Sequence, residues 1–354
     1  MMKSLWTTWR TRHRPLVVFA LVMVVWALGS AVGLLVDDRV LTGAPIWAKP
    51  FKFSVSFVAY CLSLAWMISL LDEARPRLRR TVRWAATVVV AASALEMVLI
   101  TLQVVRGVRS HFNAATPFDT RVYSLMGNTV VVLWLGTLVV AALLWRAKIA
   151  DRATAWSIRI STVLALTGAG LAFLMTPPTA EQQRLDAAGV EVLEQGGHSV
   201  GVPDGGPGMF LTGWSTTGGD LRIPHFFGMH ALQLIPLLLL ALTALAPRVR
   251  RLRDGRVRVR LVLVSGAVYA AVLALLTWQA LRGEPLVHPG TATLAAGALI
   301  LAGGGLGLLA ALFAGRRAAP VEERHGHAGG EVVAGDLRAH GQGDEVVRPV
   351  AELG

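Results

Sequence analysis

The chain has 354 residues, of which 54% are hydrophobic and 16% charged, with a formal net charge of +12. That apolar content exceeds what a soluble domain of this length buries, so the excess is expected to face lipid. The positive charge sits in short Arg clusters between apolar runs and not along one amphipathic face, which argues against nucleic acid as a partner and for a bilayer.

A transmembrane helix needs roughly 20 apolar residues. Eight stretches meet that length, near 15–36, 51–71, 84–105, 122–145, 154–175, 224–246, 261–281 and 291–315. The expected fold class is therefore an all-α, polytopic membrane bundle of about eight helices. The first stretch follows Lys3, Arg10, Arg12 and Arg14, as a signal peptide would, but its apolar run is longer than an h-region and predicts an uncleaved span. Cys61, the only cysteine, lies inside an apolar run and reads as a packed core residue; it excludes an intrachain disulfide.

Loop charge predicts orientation, because cytoplasmic loops retain Lys and Arg. One set of connections, from the N-terminus through 72–83, 146–153 and 247–260 to Arg316 and Arg317, carries 21 such residues, and the opposite set carries eight. Both termini are thus expected in the cytoplasm of a cell-membrane protein. Segment 1–14 is read as the cytoplasmic N-terminus, 15–146 and 147–315 as two four-helix halves, and 316–354 as a disordered cytoplasmic tail. In that tail, His325 and His327 make only a weak metal pair.

The outer connections hold most of the chemically varied residues. Segment 176–223 is the longest, and its Gly-Gly pairs and interior prolines predict turns in preference to helix. A connection of that length is either a ligand-covering lid or a structureless linker.

Two stretches match at a near-constant offset. Gln103, Arg106 and Gly107 end span three with His111 just beyond, and Gln279, Arg282 and Gly283 end span seven with His288 beyond. Upstream, Pro50 opens span two and Pro224 opens span six, 53 and 55 residues before the respective glutamines. These matches predict an internal duplication of spans 1–4 as spans 5–8, with a site between the halves.

Glu96 lies twelve residues into span three, where an ionisable side chain costs about 3 kcal/mol and is functional by default. A helix-to-helix hydrogen bond is its bland alternative. Gln103 is seven residues later on the same face. In span six, His230 and Gln233 share a face, whereas His225 and His230 stand about 140° apart and make a poor metal pair. Lys49, Lys52, Arg106, His111, Asn113, Asp119, Asn128 and Asp220 lie toward the outer ends, with Trp47, Trp214 and Trp278 expected in an aromatic belt and the lysines expected to snorkel. Depth along the helices places His230 and Glu96 at about 9 and 13 Å below the outer surface. If spans three and six adjoin, Glu96, Gln103, His230 and Gln233 line one cavity roofed by Asp220 and His111.

Three functions fit these residues. One is a membrane enzyme with haem or a transition metal on His111, His225 and His230, confined to the outer surface because the spans lack histidine in their inner halves. Another is a proton-coupled transporter or lipid-handling protein centred on Glu96. The third is a sensor or partner subunit that reads a small outer ligand through 176–223 with Lys52, Glu96, Gln103, Arg106, Asp220 and Gln233. Phosphate-loop, HExxH and Gly-x-Ser-x-Gly motifs are all missing, which sets aside ATP hydrolysis, zinc proteolysis and that form of serine hydrolysis.

Overall fold

A computed structural model describes residues 13–71 and 75–314. The basic segment before His13, the tail beyond Ala314 and the His325 and His327 pair lie outside the described residues.

Among the described residues, eight helices are long and apolar enough to span a bilayer. They are α1 (Arg14–Val36), α2 (Ala48–Ser69), α3 (Pro76–Arg106), α4 (Pro117–Trp145), α5 (Arg152–Gly170), α7 (Arg222–Leu245), α8 (Gly255–Leu281) and α9 (Thr291–Phe313). The intervening α6 (Ala180–Ala187) is a short helix in the long connection. The chain is accordingly a multi-pass, all-helical membrane protein, and lipid contact explains exposed side chains such as Leu35, Leu299 and Leu301.

Helix ends follow local chemistry. Thr116 accepts from the Asp119 amide and Pro117 occupies the first turn, so α4 begins five residues before the expected apolar edge. Pro76 likewise starts α3 well before residue 84, because Arg and Leu continue a helix readily. Gly107 ends α3 in the left-handed region at φ 73°, and Gly283 adopts the same φ after α8.

Helix packing falls into two sets. In the first, α1 packs on α2 and α3, α2 on α3, and α3 on α4; in the second, α5 packs on α7 and α8, α7 on α8, and α8 on α9. The sets meet through α4 against α5 and α2 against α7. The tightest approach is between α5 and α7, where a Cβ on Gly168 would stand 2.5 Å from Gly228 Cα. Small residues let two backbones come this close in a membrane.

The long connection is folded. Contrary to the expectation of turns alone, α6 forms behind a capping box in which Thr179 and Gln182 satisfy each other's backbone amides. Strands β1 (Ser199–Val200) and β2 (Gly219–Asp220) pair antiparallel. The segment then docks on its neighbours. The Ala114 amide donates to Leu193 O at 2.9 Å, and the Gln195 amide to Phe112 O at 3.0 Å. A Cβ on Gly219 would lie 2.0 Å from Ala280 O, and one on Gly43 would lie 2.8 Å from Gly205 O. This cap therefore rests on the turn after α1, the loop after α3 and the end of α8. We call this the capped end of the bundle, and the opposite one the basic end.

Candidate functional site

The loop after α3 and the first turns of α2 bring a polar cluster together beneath the cap. Glu96, on the inward face of α3, is 1% exposed. His111 Nε2 stands 3.5 Å from Glu96 Oε1, close enough for an ion pair, yet neither carboxyl oxygen receives a well-formed hydrogen bond. On its other edge, His111 Nδ1 lies 3.0 Å from Lys49 Nζ and 3.1 Å from Ser110 Oγ. Phe53, Phe112 and Tyr123 surround the imidazole. Burial pushes the His111 imidazole well below the ordinary histidine range, and Lys49, His198 and His225 add to that shift.

His198 comes from the cap and meets Phe112 edge-on, with ring centres 4.9 Å apart. Its Nδ1 donates to Asp204 Oδ2 at 2.8 Å, while Asp204 also accepts from the His198 and Ser199 amides. Burial holds His198 below its usual value despite the opposing pull of Asp204. For Asp204, burial acts upward, but hydrogen bonds from His198 and Ser199 outweigh it and keep the carboxyl well below the usual carboxylate range. Phe112 itself sits at φ 60°, an uncommon conformation for a bulky residue. It is held there between Tyr123 and the cap, where a Cβ on Gly196 would already touch its ring at 2.9 Å.

His225 on α7 has Nδ1 2.8 Å from Gly168 O, which puts the proton on Nδ1 and leaves Nε2 as an acceptor. His198 has the same arrangement through Asp204. His230 faces another way, half-buried and 3.2 Å from Gln233 Oε1. Of the first-set helices, α2 is the one that packs most closely on α7. Glu96 therefore finds its partner in His111, and His230 finds its partner in Gln233.

Several predicted ligand residues have structural partners. Gln103 and Arg106 both bind Asp119 Oδ1, at 3.0 and 2.5 Å, and tie the end of α3 to the start of α4. Asp220 accepts from the Ser215 amide and from the Arg222 guanidinium, which also holds Gly213 O. Lys52 donates to Thr212 O at 3.0 Å and so anchors the cap. Asn113 closes its own turn through the Ala115 amide, and Asn128 is on an exposed helix face away from the cluster. Trp47 donates to Asp37 and lies over Gly33, so it packs the turn after α1.

The Glu96, His111, Lys49, His198 and Asp204 arrangement was only partly visible in the sequence. His198 and Asp204 sit in a glycine-rich segment without periodicity, and their one signal is a histidine six residues before an aspartate in a chain with few of either inside its apolar half. Among the described residues no three His, Cys, Asp or Glu side chains converge as a metal ion would require.

Comparisons with known proteins place the chain beside none: no family model, no curated protein and no solved structure matches it.

Proposed function

We propose that this is a cell-membrane protein with both termini cytoplasmic, working at its outer face through an acid–base site under the cap. Glu96 and His111 are the proton-exchanging pair, Lys49 sets the charge beside them, and His198 with Asp204 closes the site. The ligand is a small polar molecule with a proton to give or take, and an enzyme acting on it is the favoured use. The observation that carries this reading is the unsatisfied Glu96 carboxyl at 1% exposure. Leaving a buried acceptor unpaired costs about 1–3 kcal/mol, more than a purely structural carboxyl would sustain. A ligand donor entering beside His111 relieves it.

Transport receives less support. Below Glu96, the buried face of α3 continues through Ser93, Val89, Ala86 and Val82 into the apolar core. Haem or a transition metal is favoured by one feature only: His198 and His225 both present Nε2 while an acceptor fixes the proton on Nδ1, as a hydrogen bond on the far nitrogen orients a metal-bound histidine. A Soret band or stoichiometric metal in the purified protein selects that reading.

Thermal-shift screening of purified protein against small amines, carboxylic acids and phenols tests the acid–base site. A ligand that stabilises the wild type is expected to lose at least about tenfold in affinity in Glu96→Gln and in His111→Ala, the loss of one charged hydrogen bond. Ligands bound equally well by both variants would remove this pair from the function.

The proposed orientation is read by cysteine labelling in a Cys61→Ala background. Cysteines at exposed 190 and 211 should react with an impermeant reagent on intact cells, and those at 77 and 248 should stay unlabelled. Labelling at 77 from outside reverses the topology.

We further propose that the halves arose by duplication. Matching helix pairs support this, and so do matching corners: Gln103 Nε2 donates to Arg109 O and Gln279 Nε2 to Pro285 O, each six residues on.

A further inference from the structure

The outward face of α4 carries polar chemistry that the capped site does not use. α4 has 29 residues, and Asn128 lies three residues from its middle, about 4.5 Å along the axis. That depth puts it within the hydrocarbon. Asn128 is nonetheless exposed, and its amide makes no hydrogen bond within the described residues. Ser124, one turn nearer the capped end, is exposed on the same face and is also without a partner among the described residues. Lipid tails offer nothing to an amide that can both donate and accept, so a side chain of this kind at this depth calls for a partner.

The backbone beside it is open as well. A Cβ on Gly127 would meet nothing within 4 Å, so packing inside this chain does not require glycine there. Gly136 is the contrast: nine residues on, it lies on the opposite side of α4, and a Cβ there would stand 2.8 Å from the Val89 side chain on α3. One side of α4 is therefore packed against its own chain, while the other presents Ser124, Gly127, Asn128, Val131 and Leu135 outward at helical spacing. Small residues let a second helix backbone approach, and asparagine holds it by hydrogen bonds.

Symmetry selects the occupant. Two copies of this chain share one orientation in the membrane, so a twofold axis relating them runs along the membrane normal, and each residue near it faces its own counterpart at the same depth. A side chain that pairs with itself there must be donor and acceptor at once. The asparagine amide meets that requirement, whereas a carboxylate or an ammonium would face its own charge. A contact between unlike faces would instead need a polar partner on another lipid-facing helix. The outer helix of the second set, α9, presents Leu299, Leu301 and Leu306 and has no side-chain amide.

We propose that two copies of this chain associate through α4, with Asn128 of each donating to and accepting from Asn128 of the other and the helices crossing at Gly127. The inference stands apart from the acid–base site, because it needs only the membrane-spanning fold.

Förster transfer between full-length copies, labelled through Val190→Cys in a Cys61→Ala background and diluted in phosphatidylcholine vesicles, is the test. With Asn128 in place, transfer should fall by mass action as lipid is added. Asn128→Leu, close in shape, should weaken association at least about tenfold, and Asn128→Gln, which keeps the amide, should stay within about threefold. Gly127→Val should weaken it too, whereas Gly303→Val on α9, equally free of contacts within 4 Å, should leave it unchanged. Oxidative cross-linking gives a readout that leaves Asn128 and Gly127 in place. In the Cys61→Ala background, a cysteine at exposed position 131 should form a disulfide between copies, and one at exposed position 299 should not. A protein that stays monomeric at the highest protein-to-lipid ratio, an Asn128→Leu variant that associates as tightly as Asn128, or cross-linking at 299 in place of 131 would overturn the proposal.

Discussion

Gly168→Val is expected to destabilise the protein by about 3 kcal/mol or more, at the upper end of what overpacking costs. The added Cβ would stand 2.5 Å from Gly228 Cα and from the Met229 amide nitrogen. Both contacts are backbone atoms of a neighbouring helix, which cannot swing aside as a side chain can. Separating α5 from α7 also strains the bond from His225 to Gly168 O, worth about 1 kcal/mol net. Gly303→Val is the control, because a Cβ there meets nothing within 4 Å. Unfolding in graded SDS should show a large loss for the first variant and almost none for the second. Equal behaviour of the two would mean that the close approach of α5 and α7 does not support the fold.

Acid is expected to open the cap. His111 and His198 are held below the histidine value of about 6.5 while the cap is closed, and both regain that value once it opens. Above about pH 6.5 they are neutral in both forms and add no pH dependence. Below it, the open form takes up protons that the closed form refuses, so stability falls as pH falls until the lowered values are reached. Two such groups raise the open fraction by up to about a hundredfold per pH unit. Asp204 acts in the same sense at lower pH: its depressed value stabilises the closed cap above about pH 4, and this contribution is lost as pH falls toward the folded-state value. Hydrogen exchange across 176–223 should accelerate from pH 6.5 to 5 relative to the transmembrane helices, after correction for intrinsic rates. His198→Ala should remove about half of that dependence. An exchange rate that is flat over this interval would show that the two imidazoles are already open to solvent at neutral pH.

What could be read from the sequence follows from one-dimensional rules. Apolar length gave eight helices, because a span must bury its own backbone polar groups and a helix does this within a single run. Gly107 marked the end of span three, but the starts of α3 and α4 were missed, because Arg on a helix looks like a loop when only apolarity is counted and the Thr116-Pro117 cap lies outside the apolar run. Glu96 and His111 stood out for their residue type at a given depth.

Pairing was a different matter. Gln103 shares the face of Glu96, but its amide is used by Asp119, which is sixteen residues away in the chain. His230 appeared to be the partner of Glu96 because both lie at similar depth, and depth says nothing about which helices adjoin. The Gly168 and Gly228 contact put α7 against α5, and α2 is the first-set helix that meets α7 most closely. The cap was the least legible part, since irregular backbone has no period to detect and its bonds run to other loops. The sequence by itself determined which segments enter the membrane and which residues are costly to bury there, because both depend on transfer from water. Only the tertiary structure decided that His111 stands beside Glu96 and that His198 reaches Phe112 from the cap, because those contacts join a loop and a cap whose paths no helical period fixes.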